Sequence, residues 1–101
     1  MQAQVAIEHE PLNNFCRRWS INELALFGSV LRADFRPDSD IDVLVSFAPE
    51  AKATLFDLVT MKEELERIFG RPVDLVTKHG IESSRNWIRR TTILDTAERI
   101  I

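Results

Sequence analysis

The 101-residue chain has one cysteine, two histidines, three glycines and no tyrosine, and most of these scarcities remove a class of chemistry. With Cys16 alone, neither an intramolecular disulfide nor a multi-thiolate zinc or iron–sulfur site can form. A small buried helix position suits it better. His9 and His79 are far apart in sequence and neither belongs to an HExxH pattern, which excludes histidine-based zinc chemistry of the metalloprotease kind. Gly28, Gly70 and Gly80 match neither GxGxxG nor GxxxxGK spacing, so the dinucleotide fingerprint and the P-loop are both missing. Any phosphate chemistry must use another device.

Long apolar runs are lacking too. The longest stretch without Asp, Glu, Lys or Arg is Leu24 to Leu31, far short of the roughly 20 residues a membrane-spanning helix needs. Residues 1–7 carry no basic residue ahead of apolar ones and no small-residue cleavage pattern, so no secretion signal is read and the expected compartment is the cytoplasm. Thirteen Lys and Arg against sixteen Asp and Glu give a net charge of −3. That sign is wrong for a domain held to a nucleic-acid duplex by neutralising phosphates, so no such partner is expected. A composition 45% hydrophobic and 29% charged is that of a soluble globular domain. A chain of this length buries roughly 65% of the surface its unfolded form exposes, enough for one core, so residues 1–101 are read as a single domain.

Leu12, Phe15, Cys16 and Trp19 fall at i, i+3, i+4 and i+7 behind Pro11, which predicts a first helix over about 10–19. Glu23 to Phe27 reads as a short buried strand stopped by Gly28-Ser29, with a short helical turn expected from Val30 to Ala33 after it. Ile41 to Phe47 is rich in β-branched residues and closed by Pro49, the pattern of a second strand. Thr54 and Asp57 form a variant capping box; Leu55, Leu58, Met61, Leu65 and Ile68 then repeat at helical spacing up to Gly70 and Pro72. Lys62, Glu63, Glu66 and Arg67 form opposite-charge pairs on the solvated face of that helix. Val73 to Thr77 reads as a third strand. A last helix is expected from a Ser83 or Ser84 cap to about Thr96, with Trp87, Ile88, Thr91 and Leu94 inward, and Ile100-Ile101 as a final short strand. The order predicts a layered α/β domain, a small sheet covered by helices.

The chemistry concentrates between Phe27 and Val45. Asp40 and Asp42 stand two apart at the mouth of a strand, so both side chains project to one face while Ile41 projects to the other. Two like charges held together cost free energy unless a cation lies between them, and Mg²⁺, a hard ion that accepts carboxylate, water and phosphate oxygens, suits the pair. Asp74, between Val73 and Leu75 in an otherwise apolar strand, would complete a three-carboxylate cluster able to hold two ions about 3.5–4 Å apart. Gly28-Ser29 at a strand end offers close backbone approach, amides and a hydroxyl for phosphate oxygens. Asp38, Asp40 and Asp42 also imitate the opening of an EF-hand loop, but Val43 replaces its glycine and Pro49 its final glutamate, so calcium binding of that type is rejected.

Gly28-Ser29, ten residues from Val30 to Ser39, and then Asp40-Ile41-Asp42 resemble the GS-x10-DxD motif of the polymerase-β-type nucleotidyltransferase superfamily. The short chain is similar to its minimal nucleotidyltransferase (MNT) branch, and the likeness covers nearly the whole sequence. That resemblance implies an α+β domain with a mixed sheet, two Mg²⁺ ions as cofactors, and transfer of a nucleoside monophosphate from an NTP, expected to be ATP, with release of pyrophosphate. Carried onto this chain, Gly28 and Ser29 would hold the triphosphate, while Asp40, Asp42 and Asp74 would be the metal-binding and catalytic acids. Of the three, Asp74 is best placed to help deprotonate the acceptor hydroxyl. Where the family often has glycine after the arginine matching Arg32, this chain has Ala33.

No second, acceptor-recognising domain is expected, so the acceptor site must come from another molecule. In the MNT branch the resemblance points to a helical HEPN-type ribonuclease encoded nearby, the toxin of a toxin–antitoxin pair, which the antitoxin adenylylates, commonly on tyrosine. Two other readings stay open: adenylation of a small molecule such as an aminoglycoside, and a non-catalytic antitoxin acting by occlusion. Arg85, Arg89 and Arg90 form a basic group on the last helix, suited to an acidic partner surface.

Overall fold

The computed structural model describes residues 8–28 and 40–101. The turn expected over Val30 to Ala33 lies outside them. Among the described residues the elements follow in the order α1 (His9–Trp19), β1 (Ile21–Phe27), β2 (Ile41–Phe47), α2 (Leu55–Phe69), β3 (Val73–Thr77), α3 (Lys78–Glu82), α4 (Trp87–Thr96) and β4 (Glu98–Arg99). The strands form one sheet in the order β3-β2-β1-β4. β1 runs antiparallel to both β2 and β4, while β2 and β3, joined through α2, are parallel. The fold is therefore an α+β domain on a mixed sheet.

Local chemistry explains most boundaries. α1 ends at Ser20, which takes a left-handed conformation (φ 56°) and returns its N–H to the Cys16 carbonyl. The capping box at α2 forms as the sequence predicts: Asp57 N–H donates to Thr54 Oγ1 at 3.2 Å, and Thr54 N–H donates to Asp57 Oδ2 at 2.9 Å. Gly70 (φ 72°) closes that helix in the left-handed conformation.

The sheet is covered on both sides. One face, carrying Leu24, Leu26, Val43 and Val45, packs against Leu12 and Phe15 of α1 and Met61 and Leu65 of α2, all at most 2% exposed. Burying each such side chain contributes about 1.5–3 kcal/mol. The other face carries Ala25, Phe27 and Leu44 and meets Ile81 of α3 and Ile93 of α4. β1 begins two residues earlier than expected, at Ile21, and its register with β2 shifts between Ile21 and Glu23. This irregularity turns Ile21 onto the same face as Leu24, three residues on, where strict alternation would put it opposite.

The C-terminal third departs from the sequence reading. α3 was not expected, and α4 is capped by Asn86, whose side chain accepts from Arg89 N–H at 3.1 Å, rather than by Ser83 or Ser84. Trp87, Ile88 and Thr91 face solvent, Leu94 is half-buried, and Ile93 is the buried residue of α4. Once α3 takes up residues 78–82, the α4 stripe is rephased onto Ile93. The last strand is Glu98–Arg99, and Ile100 beyond it closes the first core instead.

Candidate active site

Strand directions bring three segments to one end of the sheet. β1 finishes there at Phe27-Gly28, and β2 and β3 both start there. Phe27 lies opposite Asp42 across the antiparallel pair, and Asp42 lies opposite Asp74 across the parallel pair. Adjacent strands are about 4.8 Å apart, so two carboxylates rise from neighbouring backbone positions. Residues two apart on a strand share a face: Asp40 and Asp42 go with Leu44, and Asp74 with Val76. All three acids thus belong to the side of the sheet covered by α3 and α4.

Asp42 is half-buried, whereas Asp40 and Asp74 are exposed. Among the described residues, no group of three or more His, Cys, Asp or Glu side chains converges as a metal site. What the register pairs directly is Asp42 with Asp74, with Asp40 one residue ahead of β2. Ile41 N–H donates to the Pro72 carbonyl at 3.0 Å, which extends the β2–β3 pairing back to the residue before Val73.

Gly28 has φ +77°, and its missing side chain is what makes room for Asp42. A Cβ at Gly28 would run into Asp42 Oδ2 and lie 3.2 Å from its Cγ. The carboxylate therefore rests against the Gly28 backbone, in a place that any other residue would fill. Among the described residues, the acids at this end offer carboxylate oxygens, which suit a hard divalent ion such as Mg²⁺. Ser29, expected to share phosphate binding with Gly28, lies outside the described residues.

One residue at this end has a role the sequence reading missed. Glu66, assigned to a solvated ion-pair face, does meet Lys62 Nζ at 3.2 Å, but its carboxylate also accepts the Val73 backbone N–H at 3.0 Å. The Val73 N–H, then the Lys62 ammonium, hold the Glu66 carboxyl below its ordinary range. The tight return through Gly70, Arg71 and Pro72 was the available signal, because it brings the last turn of α2 beside the start of β3. Burial, in contrast, pushes the Cys16 thiol up, as expected for an inert core cysteine.

A nucleotidyltransferase-domain family model matches residues 10–99. The chain belongs to the nucleotidyltransferase domain family. It is 38% identical over 66 residues to protein adenylyltransferase MntA of Thermococcus cleftensis, a match spanning 65% of each sequence. This nucleotidyltransferase domain thus spans just under two thirds of that relative's length. Its fold superposes on a candidate minimal nucleotidyltransferase at a TM-score of 0.69, with 33% identity over 90% of this chain and 87% of the other. A crystal structure of a toxin–antitoxin with AMP-PNP gives a TM-score of 0.68 at 17% identity, covering 92% of this chain and 72% of that one. The second likeness speaks for the fold.

Proposed function

We propose that this nucleotidyltransferase domain is an Mg²⁺-dependent antitoxin that transfers AMP from ATP to a tyrosine hydroxyl of a HEPN-type ribonuclease toxin and so neutralises it. The observation that carries the reading is the pairing of Asp42 with Asp74 beside Gly28, in a chain of this family. Its likeness to a protein adenylyltransferase supports a protein acceptor, and its likeness in fold to a toxin–antitoxin structure with AMP-PNP supports ATP as donor.

In this reading Gly28 and Ser29 receive the triphosphate, the glycine allowing backbone amides to come close. Asp40, Asp42 and Asp74 would hold Mg²⁺, which when bound neutralises triphosphate charge and the developing charge of the leaving pyrophosphate. Asp74, on the outer of the two strands, takes the proton of the acceptor hydroxyl. The hydroxyl oxygen then bonds to the α-phosphorus, the bond from that phosphorus to the β-phosphate bridging oxygen breaks, and pyrophosphate leaves. Gly28 and the β1–β2 pairing keep Asp42 in place throughout.

The test incubates the protein with Mg²⁺, α-labelled ATP and the protein encoded by the adjacent gene. Label on that protein, lost with Asp40→Ala/Asp42→Ala, is expected. No label, together with neutralisation that survives the double substitution, would leave a binding antitoxin acting by occlusion.

A further inference from the structure

Three of the four side chains expected to face inward on the last helix, Trp87, Ile88 and Thr91, instead lie on its outer surface. Trp87 and Ile88 are 63% and 61% exposed, and Arg85, Asn86 and Arg89 around them are exposed as well. Arg85 and Arg89 form no ion pair among the described residues, and the first turn of α4 has no acidic residue. Arg90, which the sequence groups with them, is used internally: its guanidinium donates to the Ser84 carbonyl at 3.2 Å and the Glu82 carbonyl at 3.4 Å. Two guanidinium groups thus flank two large apolar side chains, and within residues 85–89 the charge is of one sign.

The domain has a second exposed apolar group, Leu55, Phe56 and Val59 on α2. It differs in two respects that matter here. Its neighbours Lys62 and Glu63 carry both signs, so it selects no partner by charge. It also sits on the helix that covers the sheet face opposite the Asp42 and Asp74 carboxylates, whereas α4 covers their own side.

We propose that Arg85, Trp87, Ile88 and Arg89 form the docking surface for the acceptor protein, fitted to a segment that combines carboxylates with an apolar anchor. The inference rests on the reading that the acceptor is a protein. Carboxylates meet Arg85 and Arg89 in charge-assisted, bidentate hydrogen bonds, while Trp87 and Ile88 supply the desolvated contact that gives such an interface its affinity. One-signed charge beside the apolar pair also steers encounter and rejects basic partners. Two arginines on a chain of net charge −3 are too few to hold a nucleic acid through its phosphates, which favours a polypeptide. Position adds the functional link, since a partner seated on α4 stands on the catalytic side of the sheet.

The probe is the protein encoded by the adjacent gene, with binding followed by calorimetry and reaction by label transfer from α-labelled ATP. Arg85→Glu/Arg89→Glu and Trp87→Ala/Ile88→Ala should each weaken binding and raise the KM for the acceptor by about tenfold or more, as loss of interface anchors does. The KM for ATP should not move. The charge reversal should also abolish or invert the salt dependence of binding, and Arg85→Lys/Arg89→Lys, which keeps the charge but loses the bidentate fork, should retain only part of the affinity. Acceptor binding within twofold of wild type in both double variants, at unchanged melting temperature, overturns the docking surface even if label transfer proceeds. Binding that depends on the patch without any label transfer sustains the docking surface and removes the reaction instead. A wild-type chain that neither binds nor labels the probe overturns both. Variants that abolish only self-association, with acceptor binding intact, assign the patch to a second copy and overturn the proposal.

Discussion

The Glu66 carboxylate accepts the Val73 N–H at 3.0 Å, one residue before Asp74. A side chain on the last turn of α2 thereby fixes the start of the strand that presents an acid to the site. Both contacts of Glu66 favour its charged form, so its carboxyl titrates below the ordinary value of 4.5. A group depressed in the folded state contributes stability that is complete above its unfolded pKa and is lost as pH falls through its folded one. Melting temperatures of wild type and Glu66→Gln should therefore differ at pH 6–7 and converge as pH falls below about 4.5. In the proposed AMP transfer, Glu66→Gln should also lower kcat more than it raises the KM for ATP, because Glu66 holds the strand start next to Asp74.

Gly28 faces a different constraint, because φ +77° and the Asp42 carboxylate both forbid a side chain there. Gly28→Ala should cost about 1–2 kcal/mol for the left-handed backbone alone, measurable by urea unfolding. The displaced carboxylate should reduce AMP transfer by at least tenfold on top of that. Gly70, with φ 72° and open space around the Cβ position, isolates the backbone cost. Gly70→Ala should lose similar stability and leave transfer unchanged.

Asp42 and Asp74 are like charges at paired register positions, so removing one should affect stability and activity in opposite directions. Asp74→Asn should leave the melting temperature unchanged or raise it in metal-free buffer, and reduce transfer by about 10²-fold or more, the scale of a lost general base. Addition of Mg²⁺ should raise the melting temperature of the wild type more than that of the variant. Scanning fluorimetry with and without Mg²⁺ reads both effects.

Spacing made β2, α2 and β3 legible, with Thr54, Gly70 and Pro72 marking the boundaries around α2. The end of the sheet where Gly28, Asp42 and Asp74 meet followed from strand ends in the sequence. Their mutual register did not, because pairing depends on the whole sheet. Spacing alone puts Trp87 and Ile88 on an inward stripe with Leu94; packing against the sheet buries Ile93 and keeps Leu94 half-buried, which leaves Trp87 and Ile88, in the first turn of α4, facing out. Local spacing pairs Glu66 with Lys62 but cannot show a backbone N–H arriving from the next strand.

Leu55 and Leu65 lie on one apolar stripe in the sequence, yet the sheet covers only the later part of it. Leu65 is fully buried and packs in the first core, while Leu55, in the first turn of α2, is 80% exposed. The same truncation should therefore have very different consequences. Leu65→Ala removes transfer energy and leaves a cavity that its neighbours fill only in part, at a cost of about 2–5 kcal/mol. Leu55→Ala removes surface that water already reaches and should stay within about 0.5 kcal/mol of wild type. Urea unfolding of both variants, with label transfer to the acceptor assayed alongside, checks the contrast. Leu55→Ala should also leave transfer intact, because α2 covers the face of the sheet away from the acids.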